Sequence, residues 1–138
     1  MDNFWKDKKV LITGHTGFKG TWLSLWLLNL GAQVMGYSLE PNRDLALFNQ
    51  INMKDKCIHN VGNILDKKSF KNIVGDFCPN IVFHLAAQPL VLESYKDPYN
   101  NFKVNSIGTL NLLEIIRNLN YKGTAVIVTT DKVYKIKK

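Results

Sequence analysis

Three glycines near the N-terminus have a spacing suited to binding phosphate. Gly14, Gly17 and Gly20 recur at every third position. Gly14 would let the chain turn sharply, Gly17 would let backbone N–H groups approach a diphosphate, and Gly20 would let a helix pack closely on a strand. The first turn of such a helix offers unpaired N–H groups and the positive end of the helix dipole, which attract an anion. The pattern predicts a site for the diphosphate of a dinucleotide.

The same glycines fit a second interpretation. A tight strand-to-helix turn that binds no ligand needs them too, and the usual dinucleotide fingerprint spaces its glycines by two and three residues. The surrounding elements have to decide between the two.

A strand and a helix would hold the glycines in place. Residues 10–12 are consecutive apolar residues between lysines and Thr13, which is typical of a strand buried on both faces of a parallel sheet. Residues 21–30 place apolar side chains on most sides of a helix that ends at Gly31. We expect this helix to lie between the sheet and a second apolar surface.

The rest of the chain alternates strands and helices. Further strands are predicted at 33–38, 57–61, 80–87 and 124–129, and further helices at 67–76, after Asp66 as N-cap, and at 98–119. This order predicts an α/β fold, a Rossmann-type doubly wound parallel sheet truncated after about the fifth strand, with residues 1–138 as one nucleotide-binding domain. Ligands of such sheets bind beyond the carboxyl ends of the strands. One residue follows or ends each predicted strand there: Gly14, Ser38, Asn63, Ala86 and Thr130.

The end of the second predicted strand bears on the choice of cofactor. An acidic residue about 20 residues after the glycines usually binds the ribose hydroxyls. Ser38 occupies this place, with Glu40 and Arg43 just beyond. Since an arginine there can accept a 2′-phosphate, NAD and NADP both stay open.

Other polar and small residues are candidates at the same edge. Asn63 and Ile64 would meet an adenine, and the small side chains of Ala86 and Ala87 would let a cofactor ring approach. Asn105 is either an exposed helical residue or an anchor for the backbone of the next strand. His84 has apolar neighbours, which favours a hydrogen-bonded core histidine.

Composition limits the remaining possibilities. With 138 residues, 46% of them hydrophobic, the chain can build one core. The net charge of +7 is spread along the chain and its terminal lysines lack interleaved aromatic residues, so nucleic-acid binding is not expected. Cys57 and Cys78 have no metal-ligand spacing, and we expect two buried or half-buried free thiols and no metal. No run is long enough to span a bilayer and the N-terminus has no signal-peptide core, so no membrane association and a cytoplasmic location are expected.

With these residues assembled, the chain resembles the N-terminal part of the extended short-chain dehydrogenases/reductases, in the NAD-dependent epimerase/dehydratase group. The resemblance covers essentially the whole chain. Its segments are FWKDKKVLITGHTGFKGTWLSLWL, GYSLEP, HLAAQPLVLESYKDP, NSIGTLNLLE and VTTDKVY. Within that group, the first and third segments are similar to the branch that dehydrates CDP-glucose.

The resemblance implies a sugar-nucleotide lyase that uses tightly held NAD. Hydride would leave C4 of the sugar of CDP-glucose, water would be eliminated across C5 and C6, and hydride would return to C6. By the match in VTTDKVY, Thr130 would bond the sugar O4, Asp131 would protonate the departing C6 hydroxyl, and Lys132 would take the C5 proton. Related dehydratases for dTDP-glucose have Asp-Glu here and those for GDP-mannose have Ser-Glu. The alternative for Asp131 and Lys132 is a non-catalytic ion pair in a loop.

The resemblance also implies a wider set of cofactor-binding residues than the glycines alone. The set is Gly14, His15, Thr16, Gly17, Phe18, Gly20, Ser38, Asn63, Ile64, Leu85, Ala86, Ala87, Gln88, Asn105 and Thr129.

Two departures from the family pattern stand out. Asn63 follows Gly62 where the family has aspartate, so an amide would make the adenine contact. The family's Tyr-x-x-x-Lys pair lies further along than Lys138, and Tyr134 with Lys138 spells that pattern by coincidence. We therefore expect an incomplete dehydratase, inactive by itself.

Two alternatives stay open at this point. The chain is either a related epimerase or dehydratase, or a non-catalytic remnant that binds nucleotide or dimerises. The helix at 98–119 has more apolar residues than one sheet face requires, which predicts a homo-oligomer formed through it.

Overall fold

A computed structural model describes residues 3–41 and 46–130. The strands are β1 (Lys9–Thr13), β2 (Gln33–Ser38), β3 (Ile58–Val61), β4 (Ile81–His84) and β5 (Thr124–Ile127). The helices are α1 (Phe18–Asn29), α2 (Leu47–Gln50), α3 (Lys67–Phe77), α4 (Val91–Lys96), α5 (Pro98–Phe102) and α6 (Gly108–Asn118). Single 3₁₀ turns lie at Asn3–Trp5 and Met53–Asp55, and a π-helical turn at Lys103–Ile107 joins α5 to α6.

The five strands form one parallel sheet in the order β3-β2-β1-β4-β5. β1 pairs with β2 and β4, so that Thr13 lies between Tyr37 and His84. Sequence order reverses at β1, which makes the gap between β1 and β4 the switch point where ligands of doubly wound sheets bind. The predicted doubly wound α/β fold is confirmed.

Alternation along β1 divides the core into two layers, because successive strand residues face opposite sides of a sheet. Leu11 packs with a cluster that includes residues of α3 and α6. Val10 and Ile12 pack on the other side with Leu27 of α1. All three β1 residues are fully buried, as predicted for a strand covered on both faces.

The outer side of α1 is open in the described chain. Phe18, Trp22 and Trp26 lie four residues apart along one side of the helix and are 72%, 52% and 65% exposed. The prediction that the helix lies between the sheet and a second apolar surface therefore holds for the sheet side only.

Several predicted boundaries are wrong by a few residues. The helix predicted at 21–30 begins at Phe18, and the strands predicted at 57–61, 80–87 and 124–129 are shorter because they follow the four-residue pairing of the sheet. The helix predicted at 98–119 is interrupted by the π-helical turn, and α2 and α4 are not predicted from the sequence.

The two thiols differ in exposure. Cys57 is half-buried as predicted, whereas Cys78 is exposed at the C-cap of α3, where its φ is 48°. The described residues hold no cluster of metal-ligating side chains. Over those same residues, no helix has the length and apolar character needed to cross a bilayer.

Candidate functional site

The carboxyl ends of β1, β2 and β4 lie side by side at one edge of the sheet. Leu85 extends the pairing of β4, its N–H donating to the Thr13 carbonyl at 3.1 Å, while the Gly14 N–H donates to the Tyr37 carbonyl at 3.0 Å. The predicted residues Gly14, Ser38 and Ala86 are thereby brought to one edge.

The turn after β1 is packed so closely that a side chain would not fit at two of its glycines. Gly14 has φ +75°, and a Cβ there would lie 2.8 Å from the Ala86 nitrogen. A Cβ on Gly20 would collide with the Gly14 carbonyl oxygen, so α1 lies directly on the turn. Both glycines are fixed by backbone contacts, as expected for a close strand-to-helix approach.

The amino end of α1 is suited to an anion. Its N-cap is Gly17, which has no side chain to bond the first-turn N–H groups, and that turn has no acidic residue. A Cβ on Gly17 would come near only the Gly14 carbonyl oxygen, at 3.3 Å. The first-turn N–H groups are free of side-chain caps, and their dipole favours a diphosphate. The residues present therefore fit the diphosphate of NAD.

A buried hydrogen-bonded chain fixes β4 against β1. The Thr13 hydroxyl lies 2.7 Å from His84 Nδ1 and accepts the Ala86 N–H at 3.2 Å. His84 Nε2 lies 3.2 Å from the Thr109 hydroxyl, which donates to the Asn105 carbonyl. Burial lowers the pKa of His84 to about 4, so the ring is neutral at neutral pH. The prediction of a hydrogen-bonded core histidine is confirmed.

Three predicted residues meet at the end of β2. The Ser38 hydroxyl oxygen lies 3.0 Å from His15 Nδ1 and 2.9 Å from the Thr16 hydroxyl oxygen. Glu40 is exposed beside them, whereas Arg43 lies outside the described residues. This is where a dinucleotide-binding sheet presents its ribose contact.

The two residues after β3 face different ways. Asn63 is exposed, and its side-chain oxygen accepts the Leu65 N–H at 2.9 Å. Ile64 is only 5% exposed and packs in the core, and its carbonyl accepts from the Asn111 side chain at 3.0 Å. Asn63 is thus the more accessible of the two for an adenine.

Asn105 anchors backbone, but not that of the next strand. Its side-chain oxygen accepts the Gln88 N–H at 2.8 Å and its amide donates to the Gln88 carbonyl at 3.1 Å. The held segment follows β4 and includes Ala86 and Ala87. The alternative of an exposed helical asparagine is wrong, and the anchored segment precedes rather than follows the helix.

The end of β5 reaches the same edge. The Val128 N–H donates to the His84 carbonyl at 3.1 Å, and Thr129 and Thr130 follow as exposed residues. Asp131 and Lys132, with Tyr134 and Lys138, lie outside the described residues.

Thr13, His59 and Thr109 have no site role that is predicted from the sequence. Each bonds to a residue between 25 and 71 positions away in the chain. Only the register of the sheet brings such partners together, so local sequence has no signal for them.

Known proteins resemble this chain in sequence and in fold. The model of the family described as GDP-mannose 4,6 dehydratase matches residues 11–135. The chain belongs to this family. A CDP-glucose 4,6-dehydratase of Salmonella typhimurium is 44% identical over 132 residues, which are 96% of this chain and 37% of that protein. The chain is therefore a member of a family of sugar-nucleotide dehydratases and epimerases.

Solved structures confirm the fold. A UDP-glucose 4-epimerase of Thermotoga maritima, with UDP-glucose, superposes with a TM-score of 0.75 at 29% identity over 88% of this chain and 37% of that one. A UDP-glucose 4-epimerase of Brucella ovis, in complex with NAD, gives 0.80 at 23% identity over 95% of this chain and 38% of that one. The chain spans well under half the length of the family members and relatives it matches.

Proposed function

We propose that the chain supplies the NAD-binding part of an enzyme that converts CDP-glucose to CDP-4-dehydro-6-deoxyglucose. The observation that carries the proposal is the uncapped first turn of α1, which shares one sheet edge with the end of β5. Similarity to the Salmonella CDP-glucose dehydratase over 96% of the chain and the Asp131-Lys132 pair that follows Thr130 support the choice of sugar nucleotide.

In this proposal the cofactor is held along the edge of the sheet. The first-turn N–H groups of α1 would bind its diphosphate, Ser38 its adenosine ribose, and Asn63 its adenine. The backbone from Leu85 to Gln88, held by Thr13 and Asn105, would line the path toward Thr129. Bound NAD would accept a hydride from C4 of the sugar and return it at C6.

Thr130, Asp131 and Lys132 would act on the sugar. The O4 proton that is released with the C4 hydride would pass to the tyrosine of the family's Tyr-x-x-x-Lys pair. Lys132 would take the C5 proton and return it to C5 when the hydride reaches C6, and Asp131 would give a proton to the departing C6 hydroxyl. The C5–H and C6–O bonds break, a C5–C6 double bond forms and water leaves. Thr130 donates a hydrogen bond to O4. An acid and a base on neighbouring residues suit an elimination across neighbouring carbons.

We also propose that the chain assembles with a second copy through α6. Leu112 and Ile115 of this helix are fully buried against the sheet, whereas Leu110 and Leu113 on its other side are 50% and 44% exposed. A helix apolar on two sides is typical of one that packs on its own sheet and on a partner.

A chimeric enzyme tests the catalytic proposal. Residues 1–132 of this chain would replace the matching segment of the Salmonella CDP-glucose dehydratase, and product would be followed by NMR of the new C6 methyl group. We expect turnover of CDP-glucose in preference to GDP-mannose, and a loss of at least 100-fold with Asp131→Asn or Lys132→Met.

Direct NAD binding by the 138-residue chain provides a second readout. A chimera that binds NAD but does not dehydrate CDP-glucose would contradict the proposed reaction. A dimer of the chain that is indifferent to NAD would favour the non-catalytic alternative.

A further inference from the structure

Thr109 of α6 lies at the far end of the buried chain of hydrogen bonds that begins at the segment after β4. The Ala86 N–H donates to the Thr13 hydroxyl, which bonds to His84 Nδ1. His84 Nε2 bonds to the Thr109 hydroxyl, whose oxygen lies 2.8 Å from the Asn105 carbonyl oxygen. These bonds join the backbone beside the glycine turn to a helix on one face of the sheet.

The acceptors in this chain determine the direction of each bond. The Asn105 carbonyl can only accept, so the Thr109 hydroxyl gives it its single proton and accepts from His84 Nε2. Burial keeps the His84 ring neutral at neutral pH, so its Nδ1 carries no proton and accepts the Thr13 hydroxyl proton. The Thr13 oxygen then accepts the Ala86 N–H, and every proton of the chain has an acceptor.

The opposite order would leave two groups without partners. With a proton on His84 Nδ1, the Thr13 hydroxyl would have to accept it, and the proton of this fully buried hydroxyl would have no acceptor among the described residues. The Thr109 proton would turn to Nε2, so that its oxygen would face the Asn105 carbonyl with no proton between them. A buried polar group without a partner is costly, so the His84 proton stays on Nε2.

The chain bears on the cofactor because the Ala86 backbone lies directly against the glycine turn. A Cβ on Gly14 would lie 2.8 Å from the Ala86 nitrogen. Ala86 therefore forms part of the wall of the crevice between β1 and β4, where ligands of doubly wound sheets bind. A shift of this backbone would change the shape of the crevice.

The segment after β4 has a second anchor, and Thr109 contacts it as well. The Asn105 side chain bonds to both the N–H and the carbonyl of Gln88, while the Thr109 hydroxyl bonds to the Asn105 carbonyl. One hydroxyl on α6 is thus linked to both ends of the segment, through His84 on one side and through the π-helical turn on the other.

We propose that Thr109 is a positioning residue for the cofactor, whose hydroxyl acts through His84 and Thr13 to hold residues 85–88 in the place that the dinucleotide needs. The inference rests on the proposed function, because it requires a dinucleotide in the crevice. Loss of the hydroxyl would leave His84 Nε2 without an acceptor. The imidazole proton would then be free to move to Nδ1, where it competes with the Ala86 N–H for the Thr13 oxygen.

The test compares NADH binding by the 138-residue chain and two variants, measured by cofactor fluorescence at pH 7.5 with folding checked by circular dichroism. Thr109→Val keeps the volume but loses the hydroxyl, and it should weaken NADH binding about tenfold, the equivalent of about 1.4 kcal/mol. Thr109→Ser keeps the hydroxyl and should bind NADH within about twofold of wild type.

Nitrogen-15 NMR of the imidazole separates a positioning role from a merely stabilising one. Wild type and Thr109→Ser should show His84 with its proton on Nε2. Thr109→Val should show the proton at least partly on Nδ1, together with faster hydrogen exchange at the Ala86 N–H. Ser24→Ala is the matched control, since it removes a buried helical hydroxyl that bonds to the Gly20 carbonyl, and it should leave the His84 tautomer, the Ala86 exchange and the NADH affinity unchanged.

Three results would overturn the inference and leave the proposed function intact. They are wild-type NADH affinity in Thr109→Val, an equal loss of affinity in Thr109→Ser, and a His84 proton on Nδ1 in the wild-type chain. Folded wild-type chain that does not bind NADH would overturn both the inference and the proposed function.

Discussion

His84 and its partners show how single residues shape the site. The ring joins Thr13 of β1 to Thr109 of α6, and Thr13 in turn holds the Ala86 N–H. A charged ring would carry a proton on Nδ1, so the Thr13 hydroxyl could no longer donate there, and the charge would lose solvation in the core. The geometry of the edge therefore depends on a neutral imidazole.

We predict that the free energy of unfolding falls in acid because of this ring. The pKa of His84 is about 4 in the folded state and 6.5 as its ordinary value, so its contribution is complete above pH 6.5 and is lost as pH falls toward 4. The loss amounts to about 3 kcal/mol, at about 1.4 kcal/mol per pH unit. Urea unfolding between pH 7.5 and 4 gives the free energy of unfolding at each pH, and this free energy should fall more steeply with decreasing pH in wild type than in His84→Gln. Equal pH dependence in the two proteins would contradict a neutral, buried His84.

A second residue-scale prediction concerns the space beside His15. Gly36→Ala should lower the free energy of unfolding by about 1–3 kcal/mol, because the added Cβ overlaps the His15 ring. Gly75→Ala is the control, since its Cβ would meet only Leu119 at 3.9 Å, and it should be neutral or slightly stabilising. Equal effects of the two substitutions in denaturant unfolding would show that the ring can move aside.

At the residue scale, the sequence predicts which residues lie at the site better than it predicts which of them contact each other. The spacing of the glycines indicates the turn and the helix that follows it. His15 and Ser38 are predicted near the cofactor, but the contact of His15 with His59 depends on the pairing of Gly36 with His59 across β2 and β3. Such a pairing has no sign in local sequence.

At the scale of elements, α6 and the π-helical turn before it contact the two loops that follow β3 and β4. Gly108 lets the helix approach Ile64, whose side chain would collide with a Cβ at that position. The Asn111 side chain donates to the Ile64 and Leu65 carbonyls at 3.0 and 3.4 Å. The π-helical turn before α6 contains Asn105, which holds Gln88. One helical segment thus supports the backbone after β3 and after β4.

We predict that Asn111→Ala costs about 1–3 kcal/mol of unfolding free energy, because the buried Ile64 carbonyl and the part-buried Leu65 carbonyl lose their donor. Amide hydrogen exchange should also speed up at residues 62–66, measured by mass spectrometry. Asn118→Ala, at an exposed position of the same helix, should leave both unchanged. Protection at 62–66 that survives Asn111→Ala would mean that the helix does not hold this loop.

The elements that sequence predicts well are those with a strong periodic pattern. β1, β2 and α3 lie within one or two residues of their predicted bounds, and Asp66 caps α3 by accepting the Ser69 N–H as expected. The six residues of α4 are too few to show a period, and they are largely exposed. The π-helical turn has the same residue types as the helices around it, so sequence cannot separate it from them.

At the scale of the whole molecule, the proposed dimer would form through the exposed side of α6. We predict that the chain sediments as a dimer and that Leu110→Glu with Leu113→Glu makes it a monomer, because two charges would be buried in the interface. Leu39→Glu, at another exposed leucine, should leave the dimer intact. Sedimentation velocity that shows the same mass for all three proteins would exclude an interface on α6.

The order of elements predicts the doubly wound sheet, since five strands separated by helical segments leave few right-handed arrangements. The sequence does not predict which strand ends are neighbours in the sheet. The order β3-β2-β1-β4-β5 arises from crossovers that no motif encodes.

A titration of isotope-labelled chain with NAD, followed by amide NMR, tests the central claim most directly. We expect saturable shifts that are largest at the N–H groups of residues 17–20, with a second group at Ser38 and at Ala86 to Gln88. Saturable shifts confined to other parts of the chain, or none in a well-dispersed spectrum, would contradict a dinucleotide site at the amino end of α1.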